Sequence, residues 1–158
     1  MSERIAYFAA GCFWGVEDRF RKTPGVADAI SGYMGGHVDN PAYTQVCNGD
    51  TGHTETVKVV FDDEQVSYSE LLDLFFQMHN PTTLNRQGPD FGSQYRSAVF
   101  AVDEGQVVAV TKKIAELDVS GKWRDPVVTE VNLGGTFWPA EAYHQRYYEK
   151  NGAGFCKV

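Results

Sequence analysis

Residues 54–62 read Thr-Glu-Thr-Val-Lys-Val-Val-Phe-Asp, and their alternation constrains the fold more than any other stretch. Successive strand side chains face opposite ways. Glu55, Val57, Val59 and Phe61 therefore share one side, and Thr54, Thr56, Lys58 and Val60 the other. Upstream, residues 4–10 read as a strand ended by Gly11. A helix over 13–22 carries Phe13, Val16, Glu17 and Phe20 at i, i+3, i+4, i+7 spacing and is closed by Thr23-Pro24-Gly25. Residues 26–33 are the next strand. Downstream, Ser67-Tyr68-Ser69-Glu70 is a capping box opening a helix over 68–79, stopped by Asn80-Pro81, and residues 96–102 form a further strand. These six elements run β-α-β-β-α-β, the split βαβ order.

Beyond them, Asp103 with Gln106 caps a helix to about Leu117, 126–132 reads as an edge strand, and Pro139 starts a helix running to Lys150. The expected fold is α+β: a two-layer α/β sandwich, a ferredoxin-like split βαβ core with an extra C-terminal strand, helix and coil tail. No repeat, linker or compositional break divides the chain, so residues 1–158 are read as one domain. Residues 151–158 are read as a flexible tail ending in Phe155-Cys156-Lys157-Val158. Two loops, 34–53 and 82–95, are long enough to carry function.

Composition narrows the function. The chain has 158 residues, 42% hydrophobic and 22% charged, with a formal charge of −7. An acidic chain with no Lys/Arg cluster does not suit nucleic acid. No apolar run is long enough for a bilayer, and Met1-Ser2-Glu3-Arg4-Ile5 lacks a signal-peptide layout, so a cytoplasmic monomer without membrane contact is expected. Cys12, Cys47 and Cys156 are too few and too odd in number for a disulfide scaffold, and no CxxC pair occurs. His37, His53, His79 and His144 show no close metal-ligand spacing with one another or with Cys47, so no metal is expected.

Gly11-Cys12-Phe13-Trp14-Gly15 puts a cysteine at a strand-to-helix turn. Unpaired amides and the dipole at a helix start favour the thiolate. Up to about 2 kcal/mol from this source equals about 1.5 pKa units. The competing reading is a buried cysteine acting as a small hydrophobe. Phe13 and Trp14 project about 100° apart on a helix, so at least one of them is expected to line a surface pocket next to the thiol. Glu55 heads the apolar side of its strand, where desolvation keeps a carboxyl protonated and able to donate; the alternative is a strand-end Glu turned to solvent. His53 beside it is read as orienting the loop.

Gly11-Cys12-Phe13-Trp14-Gly15, Gly32-Tyr33-x-Gly35-Gly36, Pro41-x-Tyr43-x-x-Val46-Cys47-x-Gly49-x-Thr51-Gly52-His53-x-Glu55 and Gln94-Tyr95-Arg96-Ser97 occur in that order. Together they closely resemble the A-type peptide methionine sulfoxide reductases, a likeness running from about Phe8 to Cys156. The resemblance implies that Cys12 attacks the sulfoxide sulfur and that Glu55 supplies a proton to its oxygen. It implies that Tyr43 and Tyr95 help polarise that oxygen, that Phe13 and Trp14 wall the methyl pocket, and that Asp90 positions substrate. It further implies that Cys156 resolves a Cys12 sulfenic acid as a disulfide, which thioredoxin reduces, so no other cofactor is expected. The expected substrates are S-epimer methionine sulfoxides, free or in oxidised proteins; no catalytic role comes with Cys47. Two other readings compete: a cysteine acyl-transferase using Cys12 with His53 or His144, and a non-catalytic module whose Phe13-Trp14 pocket binds apolar peptide side chains.

Overall fold

A computed structural model describes residues 3–49, 51–147 and 150. Strand β1 (Glu3–Ala9) leads into helix α1 (Phe13–Arg21), strand β2 (Val26–Met34), a short helix α2 (Tyr43–Cys47), strand β3 (Thr54–Asp62) and helix α3 (Tyr68–Gln77). A small hairpin, β4 (Arg86–Gln87) and β5 (Asp90–Phe91), and a 3-10 turn at Ser93–Tyr95 precede strand β6 (Ala98–Ala101). Helix α4 (Glu104–Ser120), strand β7 (Glu130–Leu133), a two-residue strand β8 (Trp138–Pro139) and a 3-10 turn at Ala142–His144 follow.

The main sheet has the order β7-β6-β1-β3-β2-β8. Its inner four strands, β6-β1-β3-β2, pair antiparallel, as the β-α-β-β-α-β order requires; β7 joins the edge parallel to β6. Register aligns Phe8 with Val57 and Ala6 with Val59, so the apolar side of β3 continues across β1. Helices α1 and α3 cover that side. Phe8 stacks on Phe20 of α1 at 4.9 Å and packs against Phe75 of α3 at 5.2 Å between ring centroids, and all three are fully buried. A smaller apolar group on the other side joins Ala9, Met34, Ala98 and Phe100.

The expected caps form. Ser67 and Glu70 exchange both capping-box bonds, at 3.0 and 3.3 Å, and Asp103 accepts from the Gln106 amide at 2.9 Å. Helix α4 runs to Ser120 rather than Leu117 because Gly121, in the left-handed region, supplies its stop. The edge strand occupies Glu130–Leu133 rather than 126–132.

The helix expected over 139–150 is a correction. Trp138 and Pro139 pair with Tyr33 and Gly32 instead, and a 3-10 turn follows. Tertiary bonds override the helical pattern there: the Ala140 amide donates to the Ser31 carbonyl, and the Gln145 side chain binds both the amide and carbonyl of Ser31. Arg146 adopts φ 54°, which no α-helix continues. The expected tail, 151–158 with Cys156, lies outside the described residues.

Candidate active site

The β1–α1 turn is where the backbone is most constrained. Gly11 has φ 96°, and a Cβ there would lie 2.8 Å from Gln87 Cγ, so only glycine fits. Cys12 then occupies the N-cap position of α1 and is buried. The Phe13 amide, one of the unpaired donors of the helix start, donates to Glu55 Oε1 at 3.1 Å. That single bond brings the start of α1 to the head of β3.

Glu55 is 1% exposed, on the side shared with Val57, Val59 and Phe61 as its strand period requires. Its Oε2 is buried and has no hydrogen-bond partner among the described residues. Burial pushes the carboxyl up to about 8; the Phe13 amide opposes this and the charge of Asp90 adds to it. Near neutral pH the group is mostly a neutral acid, with one oxygen held by the backbone and the other able to carry a donatable proton.

Phenols surround it. Tyr33 is the direct cross-strand neighbour of Glu55, and its hydroxyl donates to Glu141 Oε1 at 2.8 Å. Burial and the Glu55 charge push Tyr43 and Tyr95 up, Tyr95 to about 12, so both remain hydrogen-bond donors across the working pH range. Tyr95 is carried by the 3-10 turn after the β4–β5 hairpin. Thr54 Oγ1 ties that turn to β3 by donating to the Gln94 carbonyl at 2.9 Å. Arg96 adds donations to the Gly52 and Ser93 carbonyls at 3.0 and 2.9 Å. Asp90, in β5, is itself pushed up by partial burial. Gln87 locks the same hairpin to the end of α3 through two 2.8 Å bonds with the Asn80 backbone.

The two aromatics after Cys12 divide as their 100° separation implies. Phe13 is buried against Tyr33, Tyr43 and His144; Trp14 is half-buried, stacked on Tyr147 at 3.9 Å. The Trp14 Nε1 donates to His144 Nδ1 at 2.9 Å, which puts the proton of a neutral His144 on Nε2. Burial lowers the His144 pKa, keeping the ring neutral. His53 behaves as a loop brace: Nδ1 accepts from the Gly36 amide at 3.0 Å, so Nε2 donates to the Val38 carbonyl at 2.7 Å.

Cys47 is exposed on α2. Partial desolvation and the charges of Glu55 and Glu141 push its thiol up, against a lowering bond from Tyr43. Among the described residues no group of three or more His, Cys, Asp and Glu side chains could hold a metal ion. No helix among them is long and apolar enough to cross a membrane.

The structure thus gathers Cys12, Phe13, Trp14, Tyr43, Glu55, Asp90 and Tyr95 around the β1–α1 turn; Cys156 is outside the described residues. Sequence reasoning missed Tyr33, Glu141 and His144 as parts of this wall. Tyr33 had a signal, since β2 must pair with β3; Glu141 and His144 sat in the segment read as a helix from Pro139 to Lys150, with His144 named only as a partner of Cys12 in the acyl-transferase reading.

A helix-start cysteine next in sequence to the amide that binds a buried carboxyl, with phenols around that carboxyl on a two-layer sandwich, marks an enzyme. The family model of peptide methionine sulfoxide reductase matches residues 4–158. Among similar chains, the peptide methionine sulfoxide reductase MsrA of Methanoculleus marisnigri is 53% identical over 97% of this chain and 93% of its own. That of Methanothermobacter thermautotrophicus is 54% identical over 96% and 89%. The crystal structure of reduced Mxr1 from Saccharomyces cerevisiae superimposes with TM-score 0.91 at 35% identity, covering 99% of this chain and 90% of that one. This chain belongs to the peptide methionine sulfoxide reductase family.

Proposed function

We propose that this protein reduces methionine S-sulfoxide, free or in oxidised proteins, to methionine through the cluster around Cys12 and Glu55. The observation that carries the reading is the Glu55 carboxyl: 1% exposed, one oxygen held by the Phe13 amide and the other without a partner among the described residues. A sulfoxide oxygen leaves from sulfur only if it is protonated, and a buried neutral acid at that point supplies the proton. Tyr43 and Tyr95 donate hydrogen bonds to the same oxygen. Phe13 and Trp14 provide an apolar slot for the S-methyl group, and Asp90 positions the substrate.

The Cys12 thiolate attacks the sulfoxide sulfur, Glu55 protonates the oxygen, and methionine leaves while Cys12 becomes a sulfenic acid. The sulfur of the substrate gains two electrons and Cys12 loses two. Cys156 then condenses with the sulfenic acid, releasing water and forming a Cys12–Cys156 disulfide. Six extended residues reach about 20 Å, so a C-terminal tail can deliver that thiol. A dithiol of the thioredoxin class reduces the disulfide; Mxr1 of Saccharomyces cerevisiae is known in complex with Trx2. In this reading residues 1–158 work as one catalytic unit, a cytoplasmic monomer that needs no metal or organic cofactor, with 151–158 as its recycling tail.

Mass spectrometry of the reduced enzyme after one equivalent of methionine sulfoxide, without reductant, tests the cycle. The expected result is one methionine released and a protein lighter by two hydrogens, with Cys12 joined to Cys156. An unmodified protein, or an adduct at Cys47 alone, would overturn the assignment.

A further inference from the structure

The polar wall behind the reactive turn contains a carboxylate that the reaction above does not use. Glu141 follows β8, and its two oxygens are taken by different elements: Oε1 by the Tyr33 hydroxyl at 2.8 Å, and Oε2 by the Tyr43 amide at 3.0 Å. Tyr33 is the cross-strand neighbour of Glu55, and Tyr43 is the first residue of α2. Residue 42, before that helix, is alanine and offers no side-chain acceptor, so Glu141 acts as a cap delivered from a distant part of the chain. Burial raises the Glu141 carboxyl, but the amides of Tyr43 and Glu141 and the Tyr33 hydroxyl outweigh it and hold the group below its ordinary value.

We propose that Glu141 is a positioning residue for the Tyr43 phenol: by gripping the Tyr43 amide and the Tyr33 hydroxyl at once, it fixes the start of α2 relative to the Glu55 carboxyl. The proposal rests on the reading of Tyr43 as a donor to the sulfoxide oxygen. Five-residue α2 has few bonds of its own, with Gln45 Oε1 accepting from the Ala42 amide at 2.8 Å. Its orientation is therefore set by what holds its first amide. The Tyr43 ring also packs on His144 at 4.3 Å and Phe13 at 6.4 Å, so a shift of the helix start carries the phenol away from the acid. A displacement of about 1 Å in a reacting constellation can cost on the order of 100-fold.

Glutamine at 141 can keep the geometry. Its carbonyl accepts the Tyr43 amide, and its NH2 donates to the Tyr33 oxygen, which accepts as well as donates. Alanine keeps neither bond. Two readouts on the full-length protein separate the possibilities: methionine released in a single turnover, and the ¹⁹F resonance of 3-fluorotyrosine placed at position 43. Glu141→Ala is expected to slow the release about tenfold or more and to shift or broaden the ¹⁹F line. Glu141→Gln recovers most of both, and Glu141→Ala adds nothing to the loss in a Tyr43→Phe enzyme.

If Glu141→Ala fails to fold, Glu141→Asp, which withdraws the carboxylate by one methylene, is expected to perturb the same line. An unmoved ¹⁹F line in the Ala or Asp variant overturns the inference. So does a Glu141→Ala loss of equal size with and without the Tyr43 hydroxyl, which marks a merely structural role. If Tyr43→Phe releases methionine at the parental rate, the catalytic assignment of Tyr43 fails instead, and the ¹⁹F line alone decides whether Glu141 holds that ring.

Discussion

In the proposed reaction Glu55 has to hold a proton where an ordinary carboxyl has lost it, and desolvation at the head of β3 raises its pKa in that direction. Two consequences follow from a folded pKa of about 8. Single-turnover methionine release should fall as pH rises through about 8, as the acid ionises. Glu55→Gln should lose on the order of 100- to 10,000-fold and with it this alkaline limb. Stability runs in the same direction. The folded protein binds the proton more tightly than the unfolded chain, so stability is full below the unfolded carboxyl pKa and declines as pH rises towards about 8. Glu55→Gln should flatten that decline in denaturant titrations between pH 5 and 8, taken as roughly the interval between the two pKa values. A variant with the parental slope would show that the carboxyl is not the group responsible. This residue was legible in the sequence because a period of two places it among Val57, Val59 and Phe61. Glu141 was not, because nothing local to residue 141 says that its carboxylate meets an amide 98 residues earlier.

Elements whose ends are written in their own residues were equally legible. The boundaries of β3 and the start of α3 come from alternation and a capping box, and both stand in the structure. The two long loops held structure that no period announces: α2 has five residues and the β4–β5 strands two each, too short for a pattern to repeat. Helix α3 ends beside a buried histidine that the reaction does not need. His79 donates from Nδ1 to the Phe75 carbonyl at 2.6 Å and accepts at Nε2 from Ser97 Oγ at 2.7 Å, and Ser97 in turn meets Thr129 Oγ1 at 2.7 Å. The chain of bonds joins α3 to the segments flanking β6 and β7. Burial lowers the His79 pKa to about 4 against an ordinary value of 6.5. The unfolded chain takes up this proton first, so stability is full above 6.5 and is lost as pH falls towards about 4. Urea titrations from pH 7 down to pH 5 should show this loss, roughly the upper part of that window. His79→Gln should be less stable at pH 7 but should lose less on acidification, and an unchanged acid slope would locate the effect elsewhere.

At the scale of the whole molecule, the segment from β8 to Tyr147 binds the site's supports together, which is why it cannot be a simple helix lying on the sheet. Its contacts reach β2 through Gln145, α2 through Glu141 and α1 through His144 and Arg146. The α1 anchor is Glu17, 2% exposed, whose oxygens accept from the Arg146 amide at 2.9 and 3.0 Å and from Ser31 Oγ at 3.0 Å. Arg21 stands 3.6 Å from the same carboxyl. Glu17→Ala leaves the buried Ser31 hydroxyl unpaired, a loss of about 1–3 kcal/mol, measurable as a lower urea midpoint. In that variant the Gln145 side chain still holds the amide and carbonyl of Ser31, and His144 still holds Trp14, so the segment keeps its place on β2 and the loss is confined to the Glu17 bonds. A urea midpoint equal to that of the parent would mean that the buried Glu17 carboxyl adds nothing net to the fold.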